Sequence, residues 1–297
     1  MVRDKDYLRT RDGLLFNVIG YDHQAERVAA NLKYVGDRKW NRGYREALCF
    51  LRDQFPDYCG DRISVPLSNV SETYLPQARM GQLIASSERN ELEQAAVDLV
   101  HRCADTLAIP LGQFGITDSL LWGRGNRNSD IDLVVYGSPA ARRALTDLPR
   151  LYRQPDFVKH TEATFTRQPG FVADDRGLTR VRRTFHKGLF QGIRFSLRAV
   201  REPEEIMLPH PVNVMGPTTV RAQVTNHDDS LFFPAIYVLD SGLRLVSFRT
   251  GYEGLFVPGD ELHIRGVLEG GAESRIVIGS LRGHQDDVRL KVNRRFD

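Results

Sequence analysis

Two acids, Asp130 and Asp132, lie two positions apart, and Ser119 stands eleven positions before the first of them. The run 131–136 reads as a strand, so both carboxylates project from one face while Ile131 and Leu133 pack behind. Like charges held side by side repel, and one of them keeps its proton more tightly unless a cation neutralises the pair. All-oxygen ligands favour Mg²⁺ or Mn²⁺ there. The spacing alone says little, since Asp4-Lys5-Asp6 shares it and is read as carrying no function. Ser119 adds weight. It falls where a strand over 113–116 gives way to a short helical piece near 120–122, so its hydroxyl and the neighbouring N–H groups could hold phosphate oxygens. Gly123 and Gly125 permit a tight return to the acidic strand. A phosphate-holding turn beside metal-holding carboxylates meets the needs of nucleotidyl transfer, in which an activated hydroxyl displaces pyrophosphate in line.

The elements that must position these residues are legible from periodicity. Leu92, Ala95, Ala96, Leu99, Val100 and Cys103 form one stripe of a helix that begins after Ser86-Ser87, and Pro110 closes the unit. Gly137 ends the acidic strand, and Ser138-Pro139 predicts a helix with the serine as cap. Residues 155–190 read as helical or irregular and rich in arginine. From 193 to 199 apolar and polar residues alternate, which puts Ile193, Phe195, Leu197 and Ala199 on one face and Arg194, Ser196 and Arg198 on the other. The last stretch carries short β-prone runs near 219–225, 235–239, 243–249, 261–269 and 274–280, separated by turn signals, as in a small barrel or sandwich. The first stretch shows a strand near 13–20, a helix near 44–55, and no catalytic constellation.

Ser119, the eleven-position interval, the strand Ser129-Asp130-Ile131-Asp132-Leu133 and the placement of Gly123 give residues 87–148 a pattern that resembles the DNA polymerase β-like nucleotidyltransferase superfamily. More loosely, the whole chain looks like the stand-alone predicted nucleotidyltransferases of archaea and some bacteria. The resemblance implies an α+β protein in three parts. Residues 1–75 would be an N-terminal α+β extension, 76–208 an α/β-type nucleotidyltransferase core on a mixed sheet, and 209–297 a small OB-like β-barrel. It implies that Asp130 and Asp132 hold Mg²⁺ or Mn²⁺. It also implies that Ser119, Gly123, Ser129 and Asp118 contact a nucleoside triphosphate, whose nucleoside monophosphate passes to a hydroxyl of a nucleic acid, RNA or DNA.

Two departures stand out. Asp118 occupies the place of the superfamily's glycine, where a carboxylate ~5 Å from a phosphate charge costs about 3 kcal/mol at an effective dielectric near 20. The superfamily also carries a third carboxylate on a neighbouring strand, and the equivalent run 192–200 offers Ser196 between two arginines. Asp174, Asp175, Glu202 or Asp118 itself could substitute. These departures leave open a catalytically impaired nucleotide- or nucleic-acid-binding protein, or a transferase that modifies a protein hydroxyl.

Charge and composition set the surroundings. Net charge is −3 over 76–140 and +6 over 141–205. Arg176, Arg180, Arg182, Arg183, His186 and Lys187 crowd the basic part, either as a solvated helix face or as a groove wall for phosphates, with His186 part of the polar face and not a base. In the C-terminal part Phe248, Tyr252 and Phe256 could stack bases beside Arg244, Arg249 and Arg265, or could be core. Three cysteines without a Cys-x-x-Cys pair argue against a disulfide framework or zinc ribbon. With no apolar run long enough for a membrane span and no signal peptide, the expected setting is a reducing cytoplasm.

Overall fold

The computed structural model describes residues 2–159, 171–173, 186–206, 212–249, 251–271, 274–279 and 287–291. Among these, four α-helices and eighteen strands make a mixed α/β protein with three sheets. The first sheet comprises β1 (Tyr7–Thr10), β2 (Leu14–Val18), β3 (Arg27–Val35), β4 (Arg38–Lys39), β5 (Ser64–Pro66) and β6 (Val70–Tyr74). Its order is β4-β3-β2-β1-β6, with β5 also on β3. Helix α1 (Tyr44–Gln54) buries Ala47 and Leu51 in a core with Leu8, Leu14, Phe16 and Tyr58.

The central unit carries α2 (Pro76–Ala85), α3 (Glu91–Leu107), β7 (Phe114–Ile116), β8 (Ile131–Tyr136), α4 (Ser138–Leu151), β9 (Phe157–Lys159), β10 (Phe171–Ala173), β11 (Lys187–Phe190) and β12 (Ile193–Val200). Five of the strands form a sheet in the order β7-β8-β12-β11-β9, with β8 and β12 parallel and the other pairs antiparallel. Alternation decides the two faces. Ile131, Leu133 and Val135 of β8, with Phe195, Leu197 and Ala199 of β12, join the apolar stripes of α3 and α4 in one core. Asp132, Val134, Tyr136, Ser196 and Arg198 therefore face the other way, as the period-2 pattern predicts.

Three details differ from the sequence reading. Helix α3 starts at Glu91, because Asn90 and Glu93 form a reciprocal box: the Asn90 side chain accepts from the Glu93 N–H, and the Glu93 carboxylate accepts from the Asn90 N–H. Ser86 instead turns its hydroxyl to the Glu88 N–H. At α4 the cap is Gly137, at φ +90°, and Ser138 is already helical, its N–H donating to the Glu205 carboxylate. In the region expected to be helical or irregular, β9 and β11 pair with each other as strands and β10 pairs in parallel with a C-terminal strand. Arg176, Arg180, Arg182 and Arg183, like Asp174 and Asp175, lie outside the described residues.

The third sheet contains β13 (Asn213–Asn226), β14 (Ala235–Leu239), β15 (Arg244–Ser247), β16 (Glu261–Gly270), β17 (Arg275–Ile278) and β18 (Asp287–Lys291), joined at one edge by β10. Strand β17 pairs with β15 in parallel and also with β16. Tyr252 and Phe256 are fully buried in this unit, Phe256 packed on Tyr237 and Tyr252 on Phe256, so they fill its interior and offer no ring to a base. Phe248 alone of that trio is exposed, at 40%. No helix among the described residues is long and apolar enough to cross a membrane.

Asp4-Lys5-Asp6 is not idle surface charge. All three residues are buried where the N-terminal sheet meets the polar face of the central sheet. Lys5 pairs with Asp4 at 3.1 Å, and the Asp4 carboxylate accepts from the Gly20 N–H. Asp6 accepts from the Arg3 N–H through one oxygen, and among the described residues its other oxygen has no hydrogen-bond partner. Burial, with some help from Asp4, pushes the Asp6 carboxyl up to about 7 against the pull of Arg3. An acid that binds its proton more tightly folded than unfolded loses folded-state stability as pH rises between the two values, here from about 4 to about 7. Asp6→Asn is therefore expected to stabilise the protein more at about pH 8 than at about pH 5, by ~2 kcal/mol in urea unfolding. An equal effect at both pH values would contradict this placement of the proton.

Candidate functional site

The polar face of the central sheet brings the expected residues into one row. Asp132 on β8 is in register with Ser196 on β12, and Ser196 with Lys187 on β11. On the other flank the Thr117 N–H donates to the Asp132 carbonyl at 2.9 Å, which docks the Asp118–Leu120 turn against the same row. Adjacent strands lie about 4.8 Å apart, so a turn, an acid, a hydroxyl and an amine follow one another across the sheet. Arg198 stands one row further along, opposite Val134.

The side chains take definite partners. The Ser196 hydroxyl donates to Asp132 Oδ1 at 2.5 Å. Asp130 pairs with Arg194 at 2.7 Å, with both side chains about half exposed. Asp118 turns toward the N-terminal sheet, where its Oδ1 accepts from the Tyr7 hydroxyl at 2.5 Å and from Lys33 Nζ at 3.0 Å. Its backbone is left-handed, at φ +53°. That conformation suits glycine and is tolerated by aspartate better than by most residues.

Electrostatics separate the acids. Burial, then Asp118 and Asp130, raises the Asp132 carboxyl above its ordinary value, and Arg198 and Ser196 only partly offset this. Burial also opposes ionisation of Asp118, yet Lys33, Tyr7 and Arg198 together hold its carboxyl well below the usual range. Burial and then Arg198 lower the Lys187 amine. The row is thus a set of crowded opposite charges, with Asp132 its least satisfied anion.

No model of a known protein family matches the chain, and no solved structure matches it. It is 26% identical to an uncharacterized protein of Methanocaldococcus jannaschii, over 95% of this chain and 96% of that one. That similarity spans all three sheets and says nothing of activity.

The other expected residues fall at varied distances from the row. Ser119 sits on the docked turn, and its carbonyl accepts from the Arg124 N–H. Gly123, at φ +77°, makes the return of that turn with open space where a Cβ would lie. Gly125 is different, because a Cβ there would strike Leu120 and Leu92. The Ser129 hydroxyl accepts from the Asn126 N–H and closes the turn that leads into Asp130. Glu202 lies beyond the far end of β8, near Gly137, roughly 15 Å along the strand from Asp132, and binds Arg3. It is no third carboxylate. His186 is buried beneath Gly254 of the C-terminal unit, and burial pushes its imidazole down to about 3. It does not belong to a solvated basic face.

The roles of four residues of the site are not encoded in any local sequence pattern. Tyr7 and Lys33 reach Asp118 across 111 and 85 positions, a pairing that no local pattern encodes. Alternation identifies Arg198 only as one of the outward residues of its strand. Glu253, buried in the C-terminal unit, is held ionised against its own burial chiefly by Arg198, then by Lys5 and His186. Among the described residues, neither Arg198 Nε nor Glu253 Oε1 has a hydrogen-bond partner. Lys5 before the first strand, Arg198 on β12 and Glu253 after β15 thus place their charges around one buried point.

Among the described residues no three His, Cys, Asp or Glu side chains gather closely enough to hold an ion unaided. Two carboxylates completed by water and phosphate oxygens are the usual arrangement for Mg²⁺. Asp130 and Asp132 fit that role, since Asp132 is crowded by like charge and Arg194 covers Asp130 only through an exposed pair worth ~1 kcal/mol or less.

Proposed function

We propose that the chain is a metal-dependent nucleotidyltransferase that moves a nucleoside monophosphate from a nucleoside triphosphate to a hydroxyl of a nucleic acid. The observation that carries this reading is the hydrogen bond between Thr117 and Asp132, which fixes the Ser119 turn against the acidic strand. In this reading Asp130 and Asp132 hold Mg²⁺ or Mn²⁺ through their carboxylate oxygens. The cation supplies charge neutralisation for the triphosphate and the leaving pyrophosphate. Ser119 offers its hydroxyl to the phosphates. Ser196 fixes the Asp132 carboxylate, and Lys187, in register with Ser196, borders the same row. The C-terminal unit is read as an OB-like barrel. Support comes from its pairings, which run β13-β14-β15-β17-β16 and back to β13, with β15 and β17 parallel.

The experiment is incubation with labelled nucleoside triphosphates, Mn²⁺ and a panel of RNA and DNA ends. Label should enter the nucleic acid only with metal present. Absence of transfer to any end, or transfer that survives Asp130→Asn, would count against the proposal.

A second reading, a nucleotide-binding protein without turnover, is favoured by Ser196. It stands where the superfamily resemblance places a third acid, and Arg194 and Arg198 flank it. Nucleotide binding without pyrophosphate release would select this reading. Asp118 bears on both. Its charge repels phosphate and occupies Lys33, so Asp118→Gly should relax the left-handed backbone and release Lys33 to the anion. Metal-free triphosphate affinity, measured by calorimetry, is expected to rise about 10-fold, or ~1.4 kcal/mol. Unchanged or weaker affinity would mark Asp118 as a ligand.

A further inference from the structure

Beside the Ser119 turn, the N-terminal sheet and the following loop assemble a group of half-buried rings. Tyr34 of β3 and Trp122 meet edge to face, with centroids 4.3 Å apart. Tyr74 of β6 belongs to the same cluster, over the buried Tyr7, Leu15 and Leu121. Arg9 of β1 lies over both the Tyr74 and the Trp122 ring, 5.9 Å from each centroid, and Arg124 lies 5.4 Å from that of Trp122. The group also adjoins the site. Trp122 follows Ser119 by three positions, the Arg124 N–H donates to the Ser119 carbonyl, and Lys33 on Asp118 is the chain neighbour of Tyr34. Nearby acids are Asp37, in an exposed pair with Arg124, and Glu72, which accepts from the Tyr74 hydroxyl.

We propose that Tyr34, Tyr74 and Trp122, with Arg9 and Arg124, form a stacking platform for unpaired bases of a single-stranded nucleic acid. The inference deepens the reading of the site as a nucleotidyltransferase and rests on it for the role of that strand as acceptor. The chemistry is that of non-specific single-strand recognition. Ring faces accept any base, and guanidinium groups that cover the rings in the free protein exchange them for phosphates. Arg9, over two of the rings and in no ion pair among the described residues, favours a polyanion over an apolar protein segment, and Arg124 can leave its exposed pair with Asp37 for a phosphate. The platform also gives the N-terminal sheet a function that its sequence did not disclose, at the place where the Ser119 turn would receive the triphosphate.

The test uses fluorescence, since the chain has two tryptophans, Trp40 and Trp122. In full-length Trp40→Phe protein, without nucleotide or metal, an oligonucleotide of about twelve thymidines should quench Trp122 emission saturably. A duplex of equal length and heparin, which lacks bases, should not. Arg9→Gln with Arg124→Gln should flatten the log-affinity against log-salt slope by about 1.4, as expected for two lost phosphate contacts. Tyr74→Ala should weaken binding about 10-fold, followed by anisotropy of a labelled strand in the Trp40→Phe background. No quenching by the single strand, or equal quenching by heparin, would overturn the proposal. Because no turnover is measured, nucleotide transfer without quenching would sink the platform alone, and quenching without transfer would sink only the catalytic reading.

Discussion

Asp132→Asn is expected to abolish metal-dependent nucleotide transfer, by about 10³-fold or more, while leaving the protein folded. Asparagine keeps the acceptor oxygen that Ser196 uses, so the hydrogen bond across β8 and β12 survives. What disappears is the charge of an acid already raised by burial, by Asp118 and by Asp130. Removing a crowded charge should leave urea stability unchanged or slightly higher, which separates loss of function from loss of fold. The same raised carboxyl sets the pH dependence. Asp132 must lose its proton to hold a cation, so transfer should climb with pH on a limb displaced upward from aspartate's ordinary value. In the asparagine variant no such limb remains. Full activity in Asp132→Asn, or a pH profile identical in both proteins, would remove Asp132 from the metal site.

Arg198→Met is expected to destabilise the protein by about 3 kcal/mol near neutral pH, because it strands Glu253 in the interior. Glu253 is 1% exposed, and Arg198 is the largest charge keeping it ionised against burial. The sign with pH follows. In the wild type the Glu253 carboxyl is depressed, so its contribution is present above the ordinary glutamate value and is lost as pH falls through the lower folded value. In Arg198→Met the carboxyl is no longer depressed and takes up a proton on mild acidification. The difference between variant and wild type should therefore shrink toward about pH 5. Adding Glu253→Gln should recover most of the loss at neutral pH, with a coupling of about 2 kcal/mol in the double-mutant cycle. Strictly additive effects would mean that the two groups do not communicate.

How much of this was legible in the sequence depends on how local the cause is. The acidic strand and the apolar faces of β8, β12 and α3 follow from periodicities of two and of three to four, and the structure keeps them. The start of α3 was misplaced because Asn90 with Glu93 is a better-satisfied cap than the serine pair before it. Arg198 was visible as an outward residue of an alternating strand, but its task could not be read. That task exists only because Glu253 and Lys5 arrive from the two ends of the chain. Asp4-Lys5-Asp6 misled for the converse reason. A charged triplet near a terminus is normally solvated, and only the docking of one sheet on another buries it. Tyr252 and Phe256 show the limit of composition, since an aromatic residue in a small β unit serves packing before recognition.

Nucleotide transfer at this site requires Asp130 and Asp132 to grip a cation beside the Ser119 turn. Electron paramagnetic resonance of Mn²⁺, titrated into the protein with a non-hydrolysable triphosphate analogue, addresses this directly. The expected result is one tightly held Mn²⁺ per chain that depends on the analogue and is lost in both Asp130→Asn and Asp132→Asn. Equal Mn²⁺ occupancy in the wild type and in the two variants would contradict it.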